Sequence, residues 1–229
     1  MLIELTIVSQ TSARWLSLFD IYLVAGIPIS AFVIGWIIYV VVRNREKDGT
    51  ERKDNDAESI RPGFVPTSER GKKMPFLFFI LFMAVLFLGL TAIALPSATY
   101  TRTVPAQQGN ALVIDVYASQ WVWTFHYPDG YNVTGSALVR NYTIDLPVNT
   151  TLIFRVTSVD VLHEFAIPSL KVKIDAFPGV WNTVWTNVSA AGTYTAFCME
   201  LCGAGHADMW VNINLVSQPE FNSWYTAHQ

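Results

Sequence analysis

The segment from residue 193 to residue 216 reads TYTAFCMELCGAGHADMWVNINLV and places a run of metal-binding side chains between two candidate strands. The potential donors in this run are Cys198, Glu200, Cys202, His206 and Met209. His163 is a further strong donor and lies 35 residues upstream of Cys198, where another candidate strand ends. Because sulfur and imidazole are strong ligands for transition metals, the segment predicts a metal-binding loop carried by β-strands.

Short candidate strands continue on both sides of this segment. Runs rich in Val, Ile, Thr and aromatic residues alternate with Asp, Asn, Gly and Pro, a pattern typical of strands and turns. The candidate strands cover residues 112–117, 120–127, 141–146, 151–156, 182–187, 193–197 and 209–216. No long helical period interrupts them, so the pattern predicts an all-β sandwich or barrel.

Two uncharged apolar runs precede this domain, at residues 21–42 and 74–98. Each is long enough to cross a bilayer as a helix, and a buried helix of a soluble protein rarely needs so many consecutive uncharged residues. A cleaved signal peptide is disfavoured, because the first run starts twenty residues into the chain and is too long for an ordinary signal core. We therefore expect a transmembrane hairpin of two helices in a lipid bilayer.

The distribution of positive charge predicts the orientation of this hairpin. Nine of the fifteen Lys and Arg residues lie in residues 43–73, and positively charged loops are retained on the cytoplasmic side. We expect an outward-facing segment at 1–20, a hairpin at 21–98 in the plasma membrane and an extracytoplasmic domain at 99–229. The basic residues of the loop are mixed with seven acids, so nucleic-acid binding is disfavoured.

The donor set of the loop admits several kinds of site. A disulfide between Cys198 and Cys202 would suit an oxidising compartment, but it gives no reason for His206 and Met209 to follow. Zinc explains Cys and His but not Met, since thioether sulfur is a ligand for soft copper. A mononuclear blue-copper site would leave the second cysteine idle beside the metal. Two bridging thiolates instead suit a pair of copper ions.

At this loop the sequence resembles subunit II of haem-copper terminal oxidases of the cytochrome c type, through the pattern Cys-x-Glu-x-Cys-Gly-x-x-His-x-x-Met. The resemblance implies a cupredoxin-like sandwich behind a two-helix hairpin, with a binuclear copper centre called CuA. It implies that Cys198 and Cys202 bridge the coppers, His163 and His206 bind one each, Met209 is a weak ligand, and Glu200 coordinates through its backbone carbonyl. It also implies that the Glu200 side chain reaches a magnesium or manganese ion at the boundary with the catalytic subunit.

The same resemblance implies a function in respiration. An oxidoreductase subunit of this kind accepts electrons one at a time from a cytochrome c or a small blue-copper protein. It passes them to haem in catalytic subunit I, where oxygen is reduced to water, and Trp121 is the expected point of electron arrival. A copper subunit of a nitric oxide reductase and a copper-delivery membrane protein are the alternatives.

Several further residues outside the metal loop carry expectations of their own. Asp160 matches an acid of the family pattern, but its role stays open because a turn or cap would use Asp as well. Trp123 and Phe125 are expected in the core, and His126 and His228 are expected to be structural or surface residues. Four Asn-x-Ser/Thr triplets begin at Asn132, Asn141, Asn149 and Asn187, which makes glycosylation on the cell exterior a hypothesis.

Overall fold

A computed structural model of the chain describes residues 9–43, 73–104, 110–139 and 143–228. Most of the predicted cytoplasmic loop, and Asn141, lie outside these ranges. The described residues divide into two compact units, one within Phe19–Ala94 and the other from the rest of the chain.

Two long helices confirm the predicted apolar pair. Helix α1 covers Gln10–Arg43 and α2 covers Lys73–Arg102, and both are long and apolar enough to cross a membrane. Their apolar side chains are largely exposed, as expected for helices whose surroundings are lipid. Helix α1 begins before residue 21, where the uncharged apolar run starts. A run of apolar residues marks only the segment suited to the lipid core, and the helix itself extends beyond that segment.

The rest of the fold is a β-sandwich, which confirms the predicted fold class. Its described strands are β1 Ala111–Ser119, β2 Val122–His126, β3 Asn132–Gly135, β4 Thr143–Pro147, β5 Thr151–Ser158, β6 His163–Ile167, β7 Val172–Ala176, β8 Asn182–Asn187, β9 Gly192–Cys198 and β10 Trp210–Val216. One sheet has the order β3-β2-β1-β5-β8 and the other has the order β4-β10-β9-β6-β7. Strands β1 and β5 pair in parallel, as do β4 and β10, whereas the remaining pairs are antiparallel.

The sequence pattern did not predict three of the described strands, β3, β6 and β7. Each is only four or five residues long, and β6 and β7 carry charged or polar side chains, as in HEFAI and VKIDA. Every residue of β6 is buried, so its sequence lacks the alternation that marks a strand with one solvated face. Tertiary packing therefore overrides the local signal here.

A short C-terminal helix, α3 (Gln218–Ala227), was also not predicted. Its start carries a capping box, in which the Ser217 side chain accepts from the Glu220 backbone N–H and the Glu220 carboxylate accepts from the Ser217 N–H. This Ser-x-x-Glu signal is visible in the sequence. Phe221 is the buried residue of this helix and packs into the hydrophobic core of the sandwich.

Large aromatic side chains fill the space between the sheets. Trp123 and Phe125 are fully buried, which confirms their expected place in the core. Phe165 packs edge-on against Trp123, with ring centroids 5.2 Å apart. Trp123 also donates from Nε1 to the backbone carbonyl of Met209 at 3.3 Å. The core thus supports the end of the metal loop directly.

Replacing Trp123 with alanine should lower the free energy of unfolding of the sandwich by about 3–5 kcal/mol, because it leaves a cavity in a packed core. Unfolding of the purified chain, followed by circular dichroism in denaturant, measures this change. Trp181→Ala is the matched control, since Trp181 is 46% exposed and its loss should cost much less. Equal losses from the two variants would contradict the assigned core role.

Candidate metal centre

The metal loop is held at both ends by the β9–β10 hairpin. Cys198 is the last residue of β9, and its backbone N–H donates to the carbonyl of Met209 at 3.0 Å. Between them, His206 begins a short 3-10 turn over His206–Asp208. The hairpin register continues directly beyond, where Trp210 pairs with Phe197. Local strand pairing therefore places both ends of the donor run at one end of the sandwich.

Four of the predicted donors approach one another in a chain of contacts. The two cysteine Sγ atoms are 3.7 Å apart. His163 Nδ1 lies 3.7 Å from Cys198 Sγ, and His206 Nδ1 lies 3.6 Å from Cys202 Sγ. The fifth donor, Met209, places its Sδ 3.8 Å from Cys202 Sγ. The structure thus brings together every side-chain donor that the sequence suggested for copper.

The sulfur separation distinguishes a ligand pair from a disulfide. A disulfide requires about 2.05 Å between sulfur atoms, and both cysteines are free thiols. Ligand atoms bound tetrahedrally at about 2.3 Å from a metal lie about 3.7 Å from one another. The spacing of these donors therefore fits a metal site.

Glu200 contributes its backbone and not its carboxylate to this cluster. Its carbonyl oxygen lies 3.2 Å from Cys198 Sγ. The residue as a whole is exposed, so its side chain is directed to solvent. The Glu200 carbonyl thus lies toward the metal ligands, and its carboxylate lies away from them.

The two thiols differ sharply in acidity. Burial alone would raise the pKa of Cys198, but hydrogen bonds from His163 and the loop backbone outweigh burial and lower that pKa to about 7. Burial raises the pKa of Cys202 to about 12, and the neighbouring charge of Cys198 adds to the rise. A second thiolate beside the first therefore requires a compensating cation, which a bound metal ion supplies.

Asp160 orients the buried His163 ring. His163 is fully buried, and its Nε2 lies 2.9 Å from Asp160 Oδ1. Asp160 is itself held by the backbone N–H groups of Gln120 and Val161, each at 2.7 Å. Burial would raise the pKa of Asp160, but these N–H groups and His163 outweigh it and lower the pKa. Asp160 therefore holds the Nε2 proton, so Nδ1, which faces Cys198, is the nitrogen that would give up its proton to a bound metal ion.

Trp121 lies in the turn between β1 and β2, not in a strand. The candidate strand at 120–127 is wrong at its start, because β2 begins at Val122. The turn instead lays the half-buried indole against the metal loop. Trp121 Nε1 donates to the Cys202 carbonyl at 3.3 Å, and a Cβ added at Gly205 would lie 2.5 Å from Trp121 Cδ2.

Gln120 is a site residue that the sequence pattern did not reveal. Its Nε2 donates to the same Cys202 carbonyl at 2.7 Å, while its backbone N–H donates to Asp160. Gln120 thereby links the metal loop to the residue that orients His163. No motif or spacing marks this glutamine, since its partners lie 40 and 82 residues away.

The other histidines lie apart from this cluster. The His126 ring contacts Tyr117, with centroids 4.6 Å apart. His228 ends α3 and approaches the Trp224 carbonyl through Nδ1 at 2.7 Å. These positions agree with the structural roles expected for both.

Comparison with known proteins gives a consistent set of relatives. The family model for the periplasmic domain of cytochrome c oxidase subunit II matches residues 136–216, which include all the proposed donors. A heme-copper oxidase subunit 2 from Aeropyrum pernix is 31% identical over 222 residues, covering 96% of this chain and 92% of the relative. A cytochrome c oxidase subunit 2 from Saccharomyces cerevisiae is 31% identical and covers 84% of this chain and 78% of the relative.

Other relatives match over a smaller part of this chain. A probable cytochrome c oxidase subunit 2 from Rickettsia prowazekii is 38% identical over 150 residues, covering 59% of this chain. The match spans about half of that relative, or 48% of its length. Among solved structures, the periplasmic domain of cytochrome oxidase subunit II from Bradyrhizobium japonicum is 33% identical. It has a TM-score of 0.49 and covers 54% of this chain and 96% of that chain.

Proposed function

The chain belongs to the subunit II family of haem-copper oxidases, and from this premise we propose that it is the electron-accepting subunit of a membrane terminal oxidase. A cytochrome c or blue-copper protein is the proposed donor, and haem in catalytic subunit I is the proposed acceptor. Oxygen is reduced to water in that partner. The observation that carries the proposal is the contact between two free, buried thiols, each with its own histidine.

The proposed centre is binuclear copper, CuA. Cys198 and Cys202 would bridge the two ions, with one histidine for each ion, Met209 as a weak ligand and the Glu200 carbonyl as a further one. When bound, the pair of copper ions supplies a site that takes up and releases one electron at a time. The chemical softness of the donors favours copper over magnesium or zinc.

The protein's own part in electron transfer is to hold the metal ligands in fixed positions. Cys198, Cys202, Met209 and His163 are buried, so bulk water has little access to them. Two of the metal ligands lie at the ends of paired strands, His163 in β6 and Cys198 in β9. The Cys202 carbonyl accepts hydrogen bonds from Gln120 and Trp121. A rigid set of metal ligands that is shielded from water limits structural rearrangement when an electron arrives or leaves. This favours electron transfer over bond-making chemistry.

Copper loading of the full chain, followed by electron paramagnetic resonance, tests the proposed centre. We expect two copper ions per chain and hyperfine structure from one unpaired electron shared over both nuclei. A signal from a single copper nucleus would contradict the binuclear proposal. Zinc loading is the control, since it occupies thiolates without giving a signal.

Replacing Asp160 with alanine should weaken copper binding by about 10- to 100-fold, because loss of an outer-shell carboxylate frees the ligating histidine. Competition with a copper chelator measures the affinity. Asp160→Asn keeps an oxygen acceptor near His163 Nε2 and should therefore restore part of the copper affinity. Circular dichroism checks that the sandwich is still folded. Equal affinity in the alanine variant and the unaltered chain would refute the orienting role.

Trp121 is the proposed point at which the donor's electron arrives, because its ring lies directly on the metal loop. Trp121→Leu should slow reduction by the donor about tenfold or more, as expected when a positioned group is lost. Its copper spectrum should stay the same, since Trp121 contributes no ligand. Stopped-flow reduction measures the rate, and an unchanged rate would exclude this role.

The proposal also includes the membrane topology of the chain and a site for magnesium or manganese. The two helices make the chain a membrane protein, and we place its outward segment at 1–20, its hairpin at 21–98 and the copper domain at 99–229 on the extracytoplasmic side of the plasma membrane. The basic residues of loop 43–73 support this orientation. The exposed Glu200 side chain is available for a magnesium or manganese ion at the boundary with subunit I.

A further inference from the structure

We propose that Asn149 carries an asparagine-linked oligosaccharide and that the structure selects it over the other described Asn-x-Ser/Thr triplets. Asn149 lies in the turn between β4 and β5, where a left-handed backbone with φ of 55° turns the chain outward. It is exposed, and the triplet continues through Thr150 to the hydroxyl of Thr151. An exposed triplet in a surface turn is the typical acceptor for such a sugar.

The backbone of Asn149 is fixed, whereas its carboxamide is available. Its N–H donates to the Val188 carbonyl at 2.8 Å, and its carbonyl accepts from Asn110 Nδ2 at 3.1 Å. Within the described part of the chain, no residue hydrogen-bonds to the Asn149 carboxamide. A glycan attached there would therefore break no contact of the fold.

The two other described triplets offer a less available nitrogen. Asn187 is half-buried, and its Nδ2 donates to Thr151 Oγ1 at 3.3 Å. Asn132 is exposed, but the favourable orientation of its amide donates to His126 Nδ1 and to the Tyr131 carbonyl, both at 3.1 Å. Since the amide nitrogen is the reacting atom, these contacts oppose modification at both positions. The fourth triplet begins at Asn141, outside the described residues.

The reaction is a transfer of a sugar from a lipid phosphate carrier. A bond forms between Asn149 Nδ2 and the anomeric carbon of the sugar, while the bond between that carbon and the carrier phosphate oxygen breaks. The amide nitrogen loses one proton, and the lipid phosphate or diphosphate leaves with the bonding electrons. No oxidation or reduction is involved.

The position of Asn149 keeps the sugar away from the metal loop. Thr151 pairs with Ala111 at the start of β1, whereas the end of β1 at Ser119 leads into the turn with Trp121. Eight residues of extended strand separate the two ends of β1, or about 26 Å. We therefore expect the glycan to leave reduction by the donor unchanged.

The test uses the full chain purified from the membranes of its own cell. Mass spectrometry of the peptide that contains Asn149 should show an added sugar that enzymatic or chemical deglycosylation removes. Asn149→Gln and Thr151→Ala should abolish the addition, whereas Thr151→Ser should retain it. Asn132→Gln, Asn187→Gln and Asn222→Gln are controls that should keep it, the last because Asn222 begins no triplet.

A bare Asn149 peptide, or sugar on Asn132 or Asn187 with Asn149 bare, would overturn the inference. Because the inference rests on the proposed extracytoplasmic orientation, Ser223→Cys should also be labelled in intact cells by a membrane-impermeant thiol reagent. A labelled but sugar-free chain would refute the glycan and leave the orientation standing. An unlabelled chain would refute the orientation itself, and the glycan inference with it.

Discussion

Replacing Cys202 with serine is expected to abolish the paired-copper signal and to stop electron transfer from the donor. Cys202 Sγ contacts three other donors, namely Cys198, His206 and Met209. A serine hydroxyl is a hard ligand that stays protonated near neutral pH, so it cannot replace the thiolate that we propose as a bridge between the copper ions. The loss of copper affinity should exceed the roughly 100-fold loss expected when a residue that only orients a ligand is replaced.

Copper content, the electron paramagnetic resonance spectrum and the rate of reduction measure this effect together. We expect at most one copper ion per chain and no shared unpaired electron. Met209→Leu is the matched control, because it keeps the volume of a buried side chain and removes only the weakest ligand. That variant should retain two copper ions with a shifted spectrum. Two coppers with an unchanged spectrum in Cys202→Ser would rule out the bridging role.

Replacing Gly205 with alanine is expected to slow reduction by the donor about tenfold or more without loss of copper. A Cβ at this position would lie 2.5 Å from Trp121 Cδ2 and 2.7 Å from Trp121 Cε3. Atoms cannot approach so closely, so the indole must move away from the loop. Displacing a positioned group by about 1 Å can cost up to about 100-fold in rate.

Stopped-flow spectroscopy gives the rate of reduction by the electron donor, and the copper spectrum shows whether the metal ligands are intact. Ala204→Ser is the matched control in the same loop, since Ala204 is exposed. If Gly205→Ala acts through the indole, adding it to Trp121→Leu should cause little further slowing. Full additivity of the two effects, or a normal rate in Gly205→Ala alone, would contradict this explanation.

The sequence was most informative where the relevant contacts are local. The donors from Cys198 to Met209 are neighbours in the chain, and the hairpin that closes them needs only the adjacent strands β9 and β10. The two apolar helices were equally visible, because a run of uncharged residues is a property of the chain itself. His163 is 35 residues from Cys198 and was placed beside it through the resemblance to a family.

Prediction failed where burial erased the pattern or where an element was short. Strand β6 carries His163 but is buried along its whole length, so its residues do not alternate. Trp121 resembled part of a strand, since aromatic residues follow it at every second position. The structure places it in a turn, where the Cys202 carbonyl and Gly205 give it a different neighbourhood.

The types of metal ligand, their spacing in the loop and the two apolar helices ahead of the sandwich can be read from the amino-acid sequence. The groups that surround those ligands depend instead on the packed fold. Asp160 became the partner of His163, and Gln120 joined Asp160 to the Cys202 carbonyl. Residue spacing reflects local geometry, whereas these hydrogen bonds form between loops that come together only when the two sheets pack.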